Sequence, residues 1–138
     1  MNHDLIYPVP LPLADGTMTP AARLTFVIVD DDFAVRKALT RQLRALGHTA
    51  ASFGSAEEFL AQHVDFDCLI LDVHLPGLSG IELAKLLGRM GPPPSVVFIT
   101  GREESAVREY ATRVSAPWLR KPFDEEALTS AIQQAVSS

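Results

Sequence analysis

Four short apolar stretches of this chain end in residues equipped for polar chemistry. Phe26-Val27-Ile28-Val29 runs into Asp30-Asp31-Asp32, Cys68-Leu69-Ile70-Leu71 into Asp72, and Val96-Val97-Phe98-Ile99 into Thr100-Gly101. Much later, Trp118-Leu119-Arg120 runs into Lys121-Pro122. Brought together, these residues would make a pocket of carboxylates, a hydroxyl and an ammonium. Carboxylates a few ångströms apart raise one another's pKa values, so such a cluster calls for a cation. Hard oxygen donors suit Mg2+, which keeps several waters and takes one or two carboxylates plus phosphate oxygens. A lone aspartate after a strand is often only a cap or turn residue. Three of them converging with a lysine are harder to read that way.

Convergence requires a particular scaffold. Runs that are short, aliphatic and rich in β-branched residues read as strands buried on both faces, as in a parallel sheet. Between them lie helical patterns. Val35, Leu39, Leu43 and Leu46 fall at helical spacing and Gly47 ends that helix. Ser55 with Glu58 reads as a capping box before Phe59 and Leu60. Pro76-Gly77-Leu78-Ser79-Gly80 reads as a loop, followed by a helix marked by Ile81, Ala84 and Leu87 and stopped by Gly91 and three prolines. Val107, Tyr110, Ala111 and Val114 mark a fourth helix. Asp124 caps a fifth, with Leu128, Ala131, Ile132 and Ala135 inward. Thr49 to Phe53 is a strand of mixed polarity. The expected fold is therefore α/β, five βα units with right-handed crossovers. Uniformly apolar strands belong in the centre and mixed ones at the edges, which the doubly wound order 2-1-3-4-5 satisfies. In such sheets ligands bind beyond the carboxyl ends of the strands, where the four polar clusters would meet.

The bulk properties agree. A chain of 138 residues suits one domain and buries about 70% of its unfolded surface without a staple. Cys68, the only cysteine, lies in an expected core strand and reads as a small buried residue. No stretch approaches a membrane span and the N-terminus lacks a signal-peptide pattern, so a cytoplasmic location is expected. A net charge of −5 argues against direct nucleic-acid binding by this chain. Arg36, Lys37, Arg41 and Arg44 are more simply a solvated helix face. Residues 1–23, with Pro8, Pro10, Pro12 and Pro20, read as an extended or mobile arm, and residues 24–138 as the domain.

These residues resemble the receiver domain of bacterial two-component response regulators, most nearly the nitrogen-fixation transcription-regulator type. The resemblance covers residues 24–136. It rests on Val29-Asp30-Asp31-Asp32, on Leu71-Asp72-Val73-His74-Leu75-Pro76-Gly77-Leu78-Ser79-Gly80, on Ile99-Thr100-Gly101 and on Lys121-Pro122-Phe123. It implies the flavodoxin-like receiver fold and a phosphoacceptor role for Asp72. It further implies that Mg2+ is bound by Asp30, Asp31 and Asp72 and by the backbone carbonyl of His74. Thr100 and Lys121 would engage phosphoryl oxygens, with a cis peptide before Pro122. Asp32 would point away and begin a helix. Thr100 and Trp118, which stands where receivers usually carry Tyr or Phe, would be the switch residues. The implied partners are a histidine kinase or phosphotransfer protein and a phosphorylation-dependent homodimer. The fourth helix, fifth strand and fifth helix, carrying Tyr110, Arg113, Trp118 and Arg120, would form the responding face. The resemblance implies a signalling module and no enzyme beyond its own phosphorylation and dephosphorylation. It leaves open a receiver fragment of a longer DNA-binding transcription regulator. A phosphatase with an aspartyl nucleophile fits less well, because His74 stands where such enzymes place a second aspartate.

Overall fold

The computed structural model describes residues 23–102 and 104–137. Of the arm expected over residues 1–23, residues 1–22 lie outside the described residues. The elements run β1 (Thr25–Val29), α1 (Phe33–Ala45), β2 (Thr49–Phe53), α2 (Ala56–Gln62), β3 (Cys68–Asp72), α3 (Gly80–Met90), β4 (Ser95–Thr100), α4 (Ser105–Arg113), β5 (Trp118–Arg120) and α5 (Glu125–Ser137). All strand pairs are parallel, and the order is β2-β1-β3-β4-β5, as the strand polarity requires. β3 is buried throughout, whereas β2 and β5 are partly exposed edges.

Side chains alternate across the sheet and so build two cores. Phe26, Ile28, Cys68, Ile70, Val97 and Ile99 pack against α1 and α5. Val27, Val29, Leu69, Leu71, Val96 and Phe98 pack against α2, α3 and α4. Burial pushes the Cys68 thiol up to about 12, the state of an inert core residue.

Local details refine the expectations. Gly47 takes φ +95 just beyond α1, but Leu46 is the exposed cap and not a core position. Val114 likewise caps α4 and is exposed. Ser55 accepts the Glu58 N–H, yet the Glu58 carboxylate accepts from Gly54 and not from Ser55. The reciprocal capping box is Ser79 with Glu82, and Ser79 lies inside the stretch expected to be only a loop. α3 buries Gly80 and Leu83 most deeply, with Ile81, Ala84 and Leu87 packed around them. Among the described residues no helix is long and apolar enough to cross a membrane.

Candidate functional site

β1 and β3 are neighbours, so Asp30 and Asp72 emerge side by side at the carboxyl end of the sheet. Asp30 is fully buried. Its N–H donates to the Phe53 carbonyl at 3.1 Å, and its Oδ1 accepts the Asp32 N–H at 2.8 Å. Arg36 reaches back one turn of α1 to donate to the Asp30 carbonyl at 2.6 Å. Asp31 is exposed at the mouth. Asp32 turns away, as expected, and caps α1 by accepting from Ala34 and Val35. Negative charge there also complements the helix dipole.

Asp72 is buried too, and its Oδ1 accepts the His74 N–H at 3.1 Å. Behind it, α3 approaches so closely that a Cβ on Gly80 would lie 2.2 Å from the Asp72 carbonyl oxygen. Glycine is therefore demanded by contact rather than by dihedral angle. Glu57 of α2 accepts the Leu78 N–H at 2.9 Å and ties down the intervening loop.

β4 and β5 supply the other wall. Lys121 follows β5, donates its N–H to the Thr100 carbonyl at 2.8 Å, and precedes a cis peptide bond to Pro122, as expected. Its Nζ lies 2.8 Å from Asp30 Oδ2 and 3.4 Å from Asp72 Oδ2. The Thr100 hydroxyl is buried and donates to the Arg102 carbonyl at 2.8 Å. The His74 imidazole contacts the Glu104 carboxylate at the mouth. Trp118 sits at the start of β5, half-buried on the α4 side, with the Arg108 guanidinium 6.0 Å from its ring centre.

The electrostatics follow from this crowding. Burial, reinforced by the charge of Asp30, pushes Asp72 up to about 6 against the opposing pull of Lys121 and the His74 N–H. Burial alone would lower Lys121, but the hydrogen bond to Asp30 and the charges of Asp72 and Asp30 outweigh it and hold the ammonium above its ordinary value. Ligand oxygens of Asp30, Asp31 and Asp72 all lie within 4.8 Å of one another. Three carboxylates thus face a single lysine, an all-oxygen donor set that fits a hard divalent cation.

The expected residues Asp30, Asp31, Asp72 and Lys121 are brought together, and Thr100 borders them with its hydroxyl engaged in its own loop. Trp118 stands apart from the acids. Sequence reasoning missed Arg36, Glu57 and Glu104 as partners of this region. Arg36 alone carried a signal, its place one helical turn after the acidic run.

Three comparisons bear on this arrangement. The response regulator receiver domain family matches residues 26–133. Nodulation protein W of Bradyrhizobium diazoefficiens is 36% identical over 124 residues, covering 87% of this chain and 55% of that protein. The transcriptional regulatory protein FixJ of Azorhizobium caulinodans is 35% identical over 112 residues, covering 79% of this chain and 53% of that protein. A response regulator receiver protein from Burkholderia phymatum superposes with a TM-score of 0.71 at 36% identity, covering 82% of this chain and 94% of that one. The chain thus spans about half the length of these two curated relatives.

Proposed function

The chain belongs to the response regulator receiver domain family of two-component systems, and from that premise we propose that Asp72 is its phosphoacceptor. The observation that carries this is the meeting of Asp30, Asp31 and Asp72 with Lys121, whose Nζ is 3.4 Å from Asp72 Oδ2. An Asp72 carboxylate oxygen attacks phosphorus, the bond from phosphorus to the donor's imidazole nitrogen breaks, and an acyl phosphate forms. The donor is a histidine kinase or phosphotransfer protein. Asp30, Asp31 and Asp72, with the His74 carbonyl, would hold Mg2+, which when bound neutralises charge on the transferring phosphoryl oxygens. Lys121 leaves Asp72 to pair with one of those oxygens while keeping Asp30. Thr100 gives up the Arg102 carbonyl and donates to another. Positioning and charge neutralisation of this kind are most of what phosphoryl transfer needs from a protein.

Receiver domains are signalling modules, and this chain acts by its phosphorylated state rather than by turnover of a substrate. Withdrawal of Thr100 towards the phosphoryl group leaves space into which Trp118 turns. That change alters the face carrying Tyr110, Arg113, Trp118 and Arg120, and with it dimerisation or partner binding. Residues 24–138 form the receiver unit and residues 1–23 an appended arm, in a cytoplasmic protein that does not itself bind nucleic acid. A second reading, the receiver portion of a longer DNA-binding regulator, is favoured by the relatives' extent, since the match covers only 55% and 53% of their lengths.

With Mg2+ and acetyl phosphate, intact-mass measurement should record one added phosphoryl group. Asp31→Ala should lose this far more severely than Asp32→Ala, whose side chain only caps α1. Equal losses would remove the assigned ranking of the acids.

A further inference from the structure

We propose that Arg36 is a positioning residue of the metal site: by holding the Asp30 carbonyl it sets the peptide plane that aims Asp31 at the cation. The inference rests on the reading of Asp30, Asp31 and Asp72 as ligands of a divalent cation.

Asp31 needs a hold from outside. Its carboxylate is exposed, yet one of its oxygens lies within 4.8 Å of ligand oxygens of Asp30 and Asp72. Asp30 and Asp72 are buried, and each carboxylate accepts an N–H two residues on. Among the described residues no hydrogen bond or ion pair does the same for the Asp31 carboxylate. What brings it to the cluster is therefore its backbone.

That backbone is gripped at Asp30. The Asp30 N–H donates to the Phe53 carbonyl at 3.1 Å, at the end of β2. The Asp30 carbonyl accepts from Arg36 Nη1 at 2.6 Å. A peptide unit is planar, so the direction of the Asp30 carbonyl fixes the direction of the Asp31 N–H and Cα. A charged donor makes such a bond shorter and stronger than one between neutral groups.

Arg36 is itself well seated. It is half-buried, and its guanidinium carbon lies 5.5 Å from the centre of the Phe33 ring. The guanidinium also rests against Gly54, where an added Cβ would stand 3.3 Å from Nη1 and 3.7 Å from Glu58 Oε1. Glu58 accepts the Gly54 N–H at 3.1 Å, so α2 fixes the turn on which the guanidinium lies. One side chain thus joins α1, the end of β1 and the turn after β2.

Its target separates this role from charge pairing. Arg36 donates to a carbonyl, whereas Lys121 is the cation that stands within 3.4 Å of Asp30 and Asp72 oxygens. A cation beside a metal site repels the metal, so charge alone makes Arg36 a hindrance to Mg2+. Geometry makes it a help, because groups that orient metal ligands are worth about 10–100-fold in affinity. The two effects have opposite signs, and metal affinity tells them apart.

Mg2+ titration of the full chain by NMR, with the Val73 and His74 amides as reporters and no phosphodonor present, tests this. Arg36→Met should bind Mg2+ about tenfold more weakly than the wild type. Lys37→Met removes an equal charge from the next, exposed position and should bind as tightly as the wild type or more tightly. Arg36→Gln, polar and favourable in a helix, should show the same loss as Arg36→Met and supplies the answer if the methionine variant does not fold. The Ile70 amide in the central strand should keep its wild-type shift in every variant. Affinity unchanged or raised in the folded Arg36 variants would overturn the proposal. So would an equal loss in Lys37→Met, or a displaced Ile70 signal in both Arg36 variants, which would make Arg36 a residue of the general fold. Wild-type amides that do not respond saturably to Mg2+ would instead remove the metal site itself, a failure distinct from that of Arg36.

Discussion

The two walls of the charged pocket are built differently. Asp30 and Asp72 extend from β1 and β3, whose neighbours on both sides are strands and whose faces are both covered. Each carboxylate is fixed by an N–H two residues on, from Asp32 and His74. On the other wall, Lys121 follows an edge strand of three residues, and among the described residues the Thr100 hydroxyl is held by Arg102 in its own loop. Redirecting that hydroxyl exchanges one hydrogen bond for another, a matter of about 0.5–1.5 kcal/mol. Uncovering or unpairing a buried carboxylate costs several times more, roughly 3–5 kcal/mol. The carboxylates thus stand on the wall with strands on both sides, and the groups proposed to move stand on the other.

The largest expected effect strikes the fixed wall. Gly80→Ala drives a Cβ against the Asp72 carbonyl and should cost more than about 3 kcal/mol in urea unfolding. Gly88→Ala, in the same helix with nothing within 4 Å of the added Cβ, should instead stabilise by about 0.5–1 kcal/mol. Equal stabilities for the two variants would break the contrast between a rigid wall and its surroundings.

A smaller effect reads the electrostatics of the same wall. Because Asp72 is raised to about 6, the folded protein holds its proton more tightly than the unfolded chain. Its contribution to stability is therefore greatest below the unfolded value of about 4 and falls as pH rises through about 6. Metal-free stability should drop over that window by on the order of 1–3 kcal/mol. Asp72→Asn should flatten the profile and be the more stable form at neutral pH, and Mg2+ should raise the stability of the wild type there. A wild-type stability that climbs relative to that of Asp72→Asn between pH 4 and 6 would contradict this placement of the charges. Lys121, held above its ordinary value by Asp30 and Asp72, contributes throughout this range and loses its contribution only at alkaline pH.

The smallest effect belongs to the movable wall. Trp118 is the single indole and is half-buried against the α4 core. With Mg2+ present, adding a phosphoryl mimic such as beryllofluoride should change its emission, and Thr100→Ala should suppress that change. Identical spectra with and without bound mimic would show that Trp118 does not follow the site.

Much of this organisation is legible in the chain because period and polarity are local. The apolar runs before Asp30, Asp72 and Thr100 fix the central strands, and the mixed Thr49–Phe53 stretch identifies an edge. Asp32 and Asp124 reveal themselves as caps by standing before helical patterns. What escapes are contacts between elements distant in sequence. The Arg36 bond to the Asp30 carbonyl, the Glu57 bond to Leu78 and the approach of Gly80 to Asp72 depend on where packed helices come to rest. Ser79 escapes for a different reason. Its neighbours Pro76 and Gly77 are strong turn residues, and they mask the capping box that opens α3.

The central claim is that the buried carboxylate of β3, and no neighbouring acid, carries the phosphoryl group. Borohydride reduction of the phosphorylated protein, which converts an aspartyl phosphate to homoserine, followed by peptide mass spectrometry, tests it most directly. The account predicts homoserine at position 72 alone and none in Asp72→Asn treated identically with Mg2+ and acetyl phosphate. Homoserine at Asp30 or Asp31 in the wild type, or full phosphate incorporation by Asp72→Asn, would contradict it.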